Sequence, residues 1–349
     1  MAVWLLVTSS MRGETMDSDE SILILEKVKK YFPLSLGLRG KKLYVRAVDD
    51  ISLTIRKGET IALVGESGSG KTTLGRIIAG LLPPDEGKVI YRGIDLYNGN
   101  VLSKNKELRF KIQAIFQNPD TSLNPRMMIY DTLAEAIRVR NNGLTEEEVA
   151  EKATVLLDNV GLNLDHLTKY PHELSGGEKQ RVAIARALAM NPEVLIADEI
   201  VSALDVSVRA QVLNVLIDVK NMYDLTIVFI THDMGLVWSI SDKIAVMYLG
   251  RIVEYGDTES VFRKPLHPYT KMLLTSSPTA SLIGYYRNDK YKARGEPPSP
   301  VNPPKGCRFN TRCPIARDKC FEEDPPLSEL VKNRWVACHR ALEEDSLLE

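Results

Sequence analysis

The chain has 349 residues, 44% of them apolar and 26% charged, with 45 Lys and Arg against 46 Asp and Glu. That length exceeds one ordinary domain and falls short of three, and the composition excludes a disordered, collagen-like or membrane-embedded chain. A formal charge of −1 gives no global field to attract nucleic acid or anionic lipid, so any such binding must be local.

Residues 1–20 read as a flexible leader, in which Met11 and Met16 compete with Met1 as the start. Its apolar run, Ala2 to Val7, is far too short to span a bilayer and no small-residue cleavage site follows it, so a cytosolic chain is expected. From Ser21 the run ILILEKV is strand-like, breaks at Phe32-Pro33 into a Gly/Lys-rich insert, and resumes as VRAVDDISLTI. Together these predict an antiparallel β-layer. ETIALVG followed by KTTLGRIIAGLL then reads as strand, loop and helix. Between about 119 and 190 the strand signals vanish and helical spacing dominates, which predicts an inserted helical subdomain. VLIAD and LTIVFITHD, separated by the helix-like VRAQVLNVLIDVKNMY, predict parallel strands buried on both faces. After His267-Pro268 the chain turns Pro- and Tyr-rich and basic, with PPSPVNPP as a stiff linker. The boundaries drawn are a main unit at 21–265 and a C-terminal extension at 266–349.

The sequence Gly65-Glu66-Ser67-Gly68-Ser69-Gly70-Lys71-Thr72 matches the phosphate-binding pattern GxxxxGK[ST] at a strand-to-helix junction, where its mechanism requires it. Glycines let backbone N–H groups turn toward a β-phosphate, Lys71 reaches the β/γ-phosphates, Thr72 ligates Mg²⁺, and Thr73 continues the ATP-binding turn. Val194-Leu195-Ile196-Ala197-Asp198-Glu199 has the form of a Walker B strand. Asp198 is expected to hold Mg²⁺ through water, and Glu199 to polarise the attacking water.

Leu174-Ser175-Gly176-Gly177-Glu178-Lys179-Gln180-Arg181 resembles the LSGGQ signature of ABC-type ATPases, and the other cassette motifs follow in order. Gln117 resembles the Q-loop residue, also a Mg²⁺ ligand; Ser202 and Asp205 the D-loop; and His232 the switch histidine. The resemblance implies an α/β P-loop NTPase (RecA-like) core with an antiparallel β subdomain and an inserted helical subdomain, plus a small Cys-rich C-terminal domain. It implies further that Ser175, Gly176, Gly177 and Glu178 serve the ATP of a partner subunit, with Glu199, His232 and Gln117 as the catalytic set. Tyr31 stands where similar cassettes carry an adenine-stacking aromatic, with Phe32 and Tyr44 as rivals. The family usually has Pro after the catalytic Glu. Here Ile200 follows, which predicts a freer link to the D-loop.

NPDTSLNPRMMI after Gln117, HPYT at 267–270, and the tail GCRFNTRCPIARDKC narrow the resemblance to oligopeptide/dipeptide importer ATPases. This implies a second ABC ATPase subunit in a heterodimer, two permease subunits, an external solute-binding protein, and a peripheral place on the cytoplasmic face of the membrane. No nucleic acid is expected. The competing readings are a non-transport ABC ATPase on nucleic acid or ribosome, an importer ATPase of the same type serving sugars or nickel, and a subunit that binds ATP with little hydrolysis. Cys307, Cys313, Cys320 and Cys338 are the only cysteines, and such clustering in a cytosolic chain favours metal over disulfides. Their spacing is wider than zinc-ribbon knuckles. The resemblance implies a [4Fe–4S] cluster, with zinc and free thiols as alternatives. Residues 287–319 hold nine Lys and Arg against three Asp and Glu. That excess either offsets the cluster's charge or forms a solvated basic surface.

Overall fold

The computed structural model describes residues 21–34, 43–99, 101–102, 105–277, 289–292 and 295–343. The expected leader, most of the insert after Pro33 and part of the basic stretch before the linker lie outside the described residues.

Five neighbouring strands of an eight-stranded sheet run parallel, in the spatial order Lys243–Tyr248, Thr60–Val64, Thr226–Thr231, Val194–Asp198 and Ile112–Ile115. The middle three are buried at every position, which explains why their sequences are unbroken apolar or β-branched runs rather than alternating ones. Lys71–Ile78 packs on the sheet through Leu74, Ile77 and Ile78, and Val206–Tyr223 crosses between two of the strands.

A four-stranded antiparallel layer, ordered Leu43–Arg56, Ser21–Leu34, Glu86–Tyr91 and Ile94–Asp95, covers one side. Its Ile22, Leu25, Val28 and Ile51 share a core with Leu74 and Ile77 of the helix and with Ile61 and Leu63 of the sheet. The helical subdomain lies on another side and contains Ile129–Arg140, Glu146–Asn159 and Gly176–Leu188. A capping box between Thr145 and Glu148 starts the second of these helices, satisfying N–H groups the first turn leaves unpaired. Leu133, Val149, Leu157 and Val182 join Leu195, Leu216 and Phe229 in one cluster, so this subdomain has no core of its own.

The C-terminal extension, expected as a small Cys-rich domain, is packed onto the main unit. Arg334–Val336 pairs antiparallel with Arg251–Asp257, setting Val336 opposite Glu254 and Trp335 opposite Tyr255, and Ser328–Val331 adds the outermost strand. These strands cover a sheet edge that would otherwise show unpaired backbone groups. Phe309 is buried against Tyr248 and Tyr269, in a cluster with Val64, Val246 and Phe262 of the main unit. Glu254, wholly buried, accepts the N–H groups of Leu266 and His267, each at 2.9 Å, and a guanidinium nitrogen of Arg334 at 2.8 Å. A buried carboxylate persists only when compensated in this way. Among the described residues no helix is long and apolar enough to cross a membrane.

Candidate active site at the carboxyl edge of the parallel sheet

Open parallel sheets bind ligands beyond the carboxyl ends of their strands. Here Gly65 to Lys71 follow Thr60–Val64, His232 follows Thr226–Thr231, Asp198 and Glu199 end or follow Val194–Asp198, and Gln117 lies just past Ile112–Ile115. Four adjacent strands therefore deliver the sequence-predicted residues to one edge, although they come from positions 65 to 232.

Two glycines make the loop possible. A Cβ on Gly65 would stand 2.2 Å from the Met247 carbonyl oxygen, and one on Gly70 would stand 2.0 Å from that of Ala47. Gly70 also has φ 104° where it caps the helix, a region side chains disfavour. Lys71 Nζ, buried, donates to the carbonyls of Gly65 at 2.8 Å and Glu66 at 3.0 Å. Burial pulls its pKa below the ordinary lysine value, while Glu199, Asp198 and Glu66 oppose that shift.

Thr72 Oγ1 donates to Asp198 Oδ1 at 3.3 Å, so the two expected Mg²⁺ residues already face each other. Burial raises the Asp198 pKa, with the neighbouring Glu199 adding to the rise. That is the electrostatic setting in which a divalent cation would be welcome. Gln117 fits this set less directly, because its side-chain amide donates to Ser202 Oγ at 3.1 Å.

His232 Nδ1 lies 3.4 Å from Glu199 Oε1. The link from Glu199 to the D-loop is more constrained than the missing proline suggested: Ile200 is buried in the core, the Ser202 N–H bonds the Glu199 carbonyl at 3.1 Å, and Leu204 N–H bonds Val201 at 3.2 Å. Asp205 caps Val206–Tyr223 without a side-chain hydrogen bond.

Ser175 caps Gly176–Leu188. Its hydroxyl accepts the Glu178 N–H at 3.3 Å, while Glu178 accepts the Ser175 N–H at 2.8 Å. The Ser175 N–H foremost, and the Ser175 hydroxyl donating to the same carboxylate oxygen at 2.8 Å, hold the Glu178 pKa down to about 2. Gly176 and Gly177 let this helix start lie against Leu204 and Val208, where a Cβ would stand 3.0 Å and 2.4 Å from their side chains.

A cavity of about 330 Å³ beside the loop is lined by Phe32, Val45, Ala47, Ser67, Thr73, Glu199 and Pro300, among others. The aromatic lining it is Phe32, one of the two rivals; the preferred Tyr31 is turned elsewhere, its hydroxyl donating to Asp49 Oδ1 at 2.5 Å. Sequence reasoning also missed Pro300, Tyr269, Arg308 and Arg312. His267 Nδ1 accepts the Tyr269 N–H at 3.0 Å, Pro268 begins the helix Pro268–Ser276, and the Tyr269 hydroxyl accepts the Glu66 N–H at 2.8 Å. HPYT thus works as a helix cap that ends on the phosphate-binding loop. Arg308 pairs with Asp49 and bonds the Leu249 carbonyl, and Arg312 pairs with Glu66. For these two residues the basic excess is neither a solvated surface nor spare charge facing the cysteines.

The oligopeptide/dipeptide transporter C-terminal region matches residues 253–320, and the ABC transporter family matches residues 48–202. The oligopeptide transport ATP-binding protein AppF of Bacillus subtilis is 45% identical over 93% of this chain and 99% of its own length. The chain belongs to the ABC transporter ATP-binding proteins. The dipeptide transport ATP-binding protein DppF of Haemophilus influenzae matches this ABC ATPase at 46% identity, over 89% of this chain and 94% of its own. Two solved folds agree. CbiO1 of Clostridium perfringens, part of the transporter complex CbiONQ, superposes with TM-score 0.60 at 30% identity, covering 70% of this chain and 92% of that one. A dimeric ATP-binding cassette, MJ0796 with ADP and Pi, gives 0.59 at 29% identity, covering 68% and 99%.

The four cysteines are all free. Burial, with smaller contributions from neighbouring thiols, pushes Cys307 up to about 12 and Cys313 and Cys338 up to about 11. Cys307 lies within electrostatic reach of the other three. The donor set suits a thiolate-bound group in kind, yet among the described residues no three His, Cys, Asp or Glu side chains are set to share a metal ion.

Proposed function

We propose that this chain is the ATP-hydrolysing subunit of an importer for oligopeptides or dipeptides, seated peripherally on the cytoplasmic face of the membrane. The observation that carries this reading is the meeting of the loop, Asp198, Glu199, His232 and Gln117 at one sheet edge, in a chain whose C-terminal region matches that of oligopeptide/dipeptide transporters. Partners are a second, different ABC ATPase, two permeases and an external binding protein, with the helix start at Ser175 to Glu178 completing the partner's ATP site.

In this reading the loop N–H groups and Lys71 hold the polyphosphate, and Phe32 rather than Tyr31 faces the adenine. Thr72 and Asp198 would hold Mg²⁺, which when bound neutralises charge between β- and γ-phosphates. Glu199 takes the proton of the attacking water, and His232, beside it, orients that carboxylate. Glu199→Gln keeps the shape but cannot accept the proton. It should lower turnover by about a hundred-fold or more while ATP still binds. Turnover within a few-fold of the wild type would remove Glu199 from this role and bring forward the weakly hydrolysing subunit.

The cysteines are assigned on the same terms to a [4Fe–4S] cluster, supported by four free thiols of which Cys307 lies within electrostatic reach of the other three. Protein purified without oxygen should contain about four iron atoms per chain, and one zinc with no iron would replace the cluster by the alternative.

A further inference from the structure

The phosphate-binding loop is gripped from outside by the C-terminal extension. Arg312 makes a two-pronged ion pair with Glu66, Nη1 to Oε2 at 2.7 Å and Nη2 to Oε1 at 3.0 Å, across 246 positions of sequence. Its side chain is 4% exposed, and its guanidinium lies over the rings of Tyr248 and Phe309. The remaining polar groups of Glu66 are also engaged. Its N–H donates to the Tyr269 hydroxyl at 2.8 Å and its carbonyl accepts from Lys71 Nζ at 3.0 Å.

We propose that Arg312 is a positioning residue for nucleotide binding, acting through Glu66. Two physical effects point the same way. Glu66 puts a carboxylate inside a loop that must receive a polyanion, and an uncompensated charge there would repel the phosphates; the buried guanidinium cancels it. Held by two parallel bonds and two rings, the fork also fixes the peptide whose carbonyl steers Lys71, so the loop is set before the ligand arrives. A residue that only anchored the tail would have no reason to end on the second residue of the phosphate-binding loop.

The inference rests on the reading above that this loop binds ATP. The test is titration of the full chain with a fluorescent ATP analogue, with the melting temperature recorded without nucleotide. Arg312→Gln should weaken binding roughly tenfold or more, the size expected for a lost charged hydrogen-bond pair, and Arg312→Lys should recover part of that. With Glu66→Gln as background there is no charge to cancel, so Arg312→Gln should cost far less affinity than in the wild type. Wild-type affinity in Arg312→Gln, or an equal loss in both backgrounds, would overturn the proposal. If Arg312→Gln does not fold, Arg312→Lys in the two backgrounds makes the same comparison: loss only beside Glu66 supports it, equal loss overturns it. A wild-type chain that binds no analogue would instead overturn the ATPase reading.

Discussion

His267 is wholly buried, and burial, aided by Lys271, holds its imidazole down to about 3 against a weaker pull from the Ala337 backbone. Its neutral Nδ1 caps the helix that carries Tyr269, so protonation removes an acceptor as well as burying a charge. The folded-state value lies below that of the unfolded chain, so the unfolded state takes up the proton first. The stability contributed is complete above about pH 6.5 and is lost as the pH falls toward 3, at up to about 1.4 kcal/mol per pH unit. Melting temperatures measured from about pH 7.5 down to about pH 5 should fall less steeply for His267→Asn, which can cap but does not titrate. Parallel slopes would show that another group sets the acid sensitivity. At this scale, motif residues such as Lys71 and Asp198 were legible because their chemistry is written in adjacent positions. That Phe32 rather than Tyr31 lines the cavity beside the loop was not legible, for a structural reason. Pairing of Ser21–Leu34 with Leu43–Arg56 shifts register between Lys30 and Tyr31, and a one-residue slip exchanges the faces of a strand. No alternation in the sequence records that slip.

Strands, helices and the inserted subdomain were readable from periodicity, since buried parallel strands and amphipathic helices leave distinct patterns. The role of the extension was not readable, because its partners are long-range: Arg334–Val336 finds its neighbour at Arg251–Asp257, and Phe309 finds Tyr248 and Tyr269. From motif positions alone, a chain cut after Pro265 should keep its ATPase activity. The packing reverses that expectation. Such a cut removes Tyr269 and Phe309 from the cluster around Val64 and Val246, and loss of one large buried aromatic costs about 3–5 kcal/mol. It also uncovers the edge of Arg251–Asp257 and leaves Glu254 buried without Arg334. The truncated chain should therefore aggregate or melt far below the full chain and fail to bind nucleotide. A truncated chain with full-length melting temperature and ATP affinity would show that the extension is only appended.

Across the whole molecule, the sheet edge supplies the loop, Thr72 and Asp198 facing each other, and Glu199, whereas the Ser175 helix start belongs to the helical subdomain and is the part proposed to complete a partner's site. Closure of this chain and its partner ATPase around ATP, transmitted to the permeases, is the mechanical step that would move solute. Oligopeptide uptake into proteoliposomes tests this most directly, using the assembled complex, peptide-loaded binding protein, and ATP supplied on the side of this subunit. Uptake should need ATP, should be accompanied by peptide-stimulated hydrolysis, and should collapse when this subunit alone carries Lys71→Ala. Undiminished uptake with that variant, or stimulation by a sugar or nickel in place of peptide, would contradict the assignment.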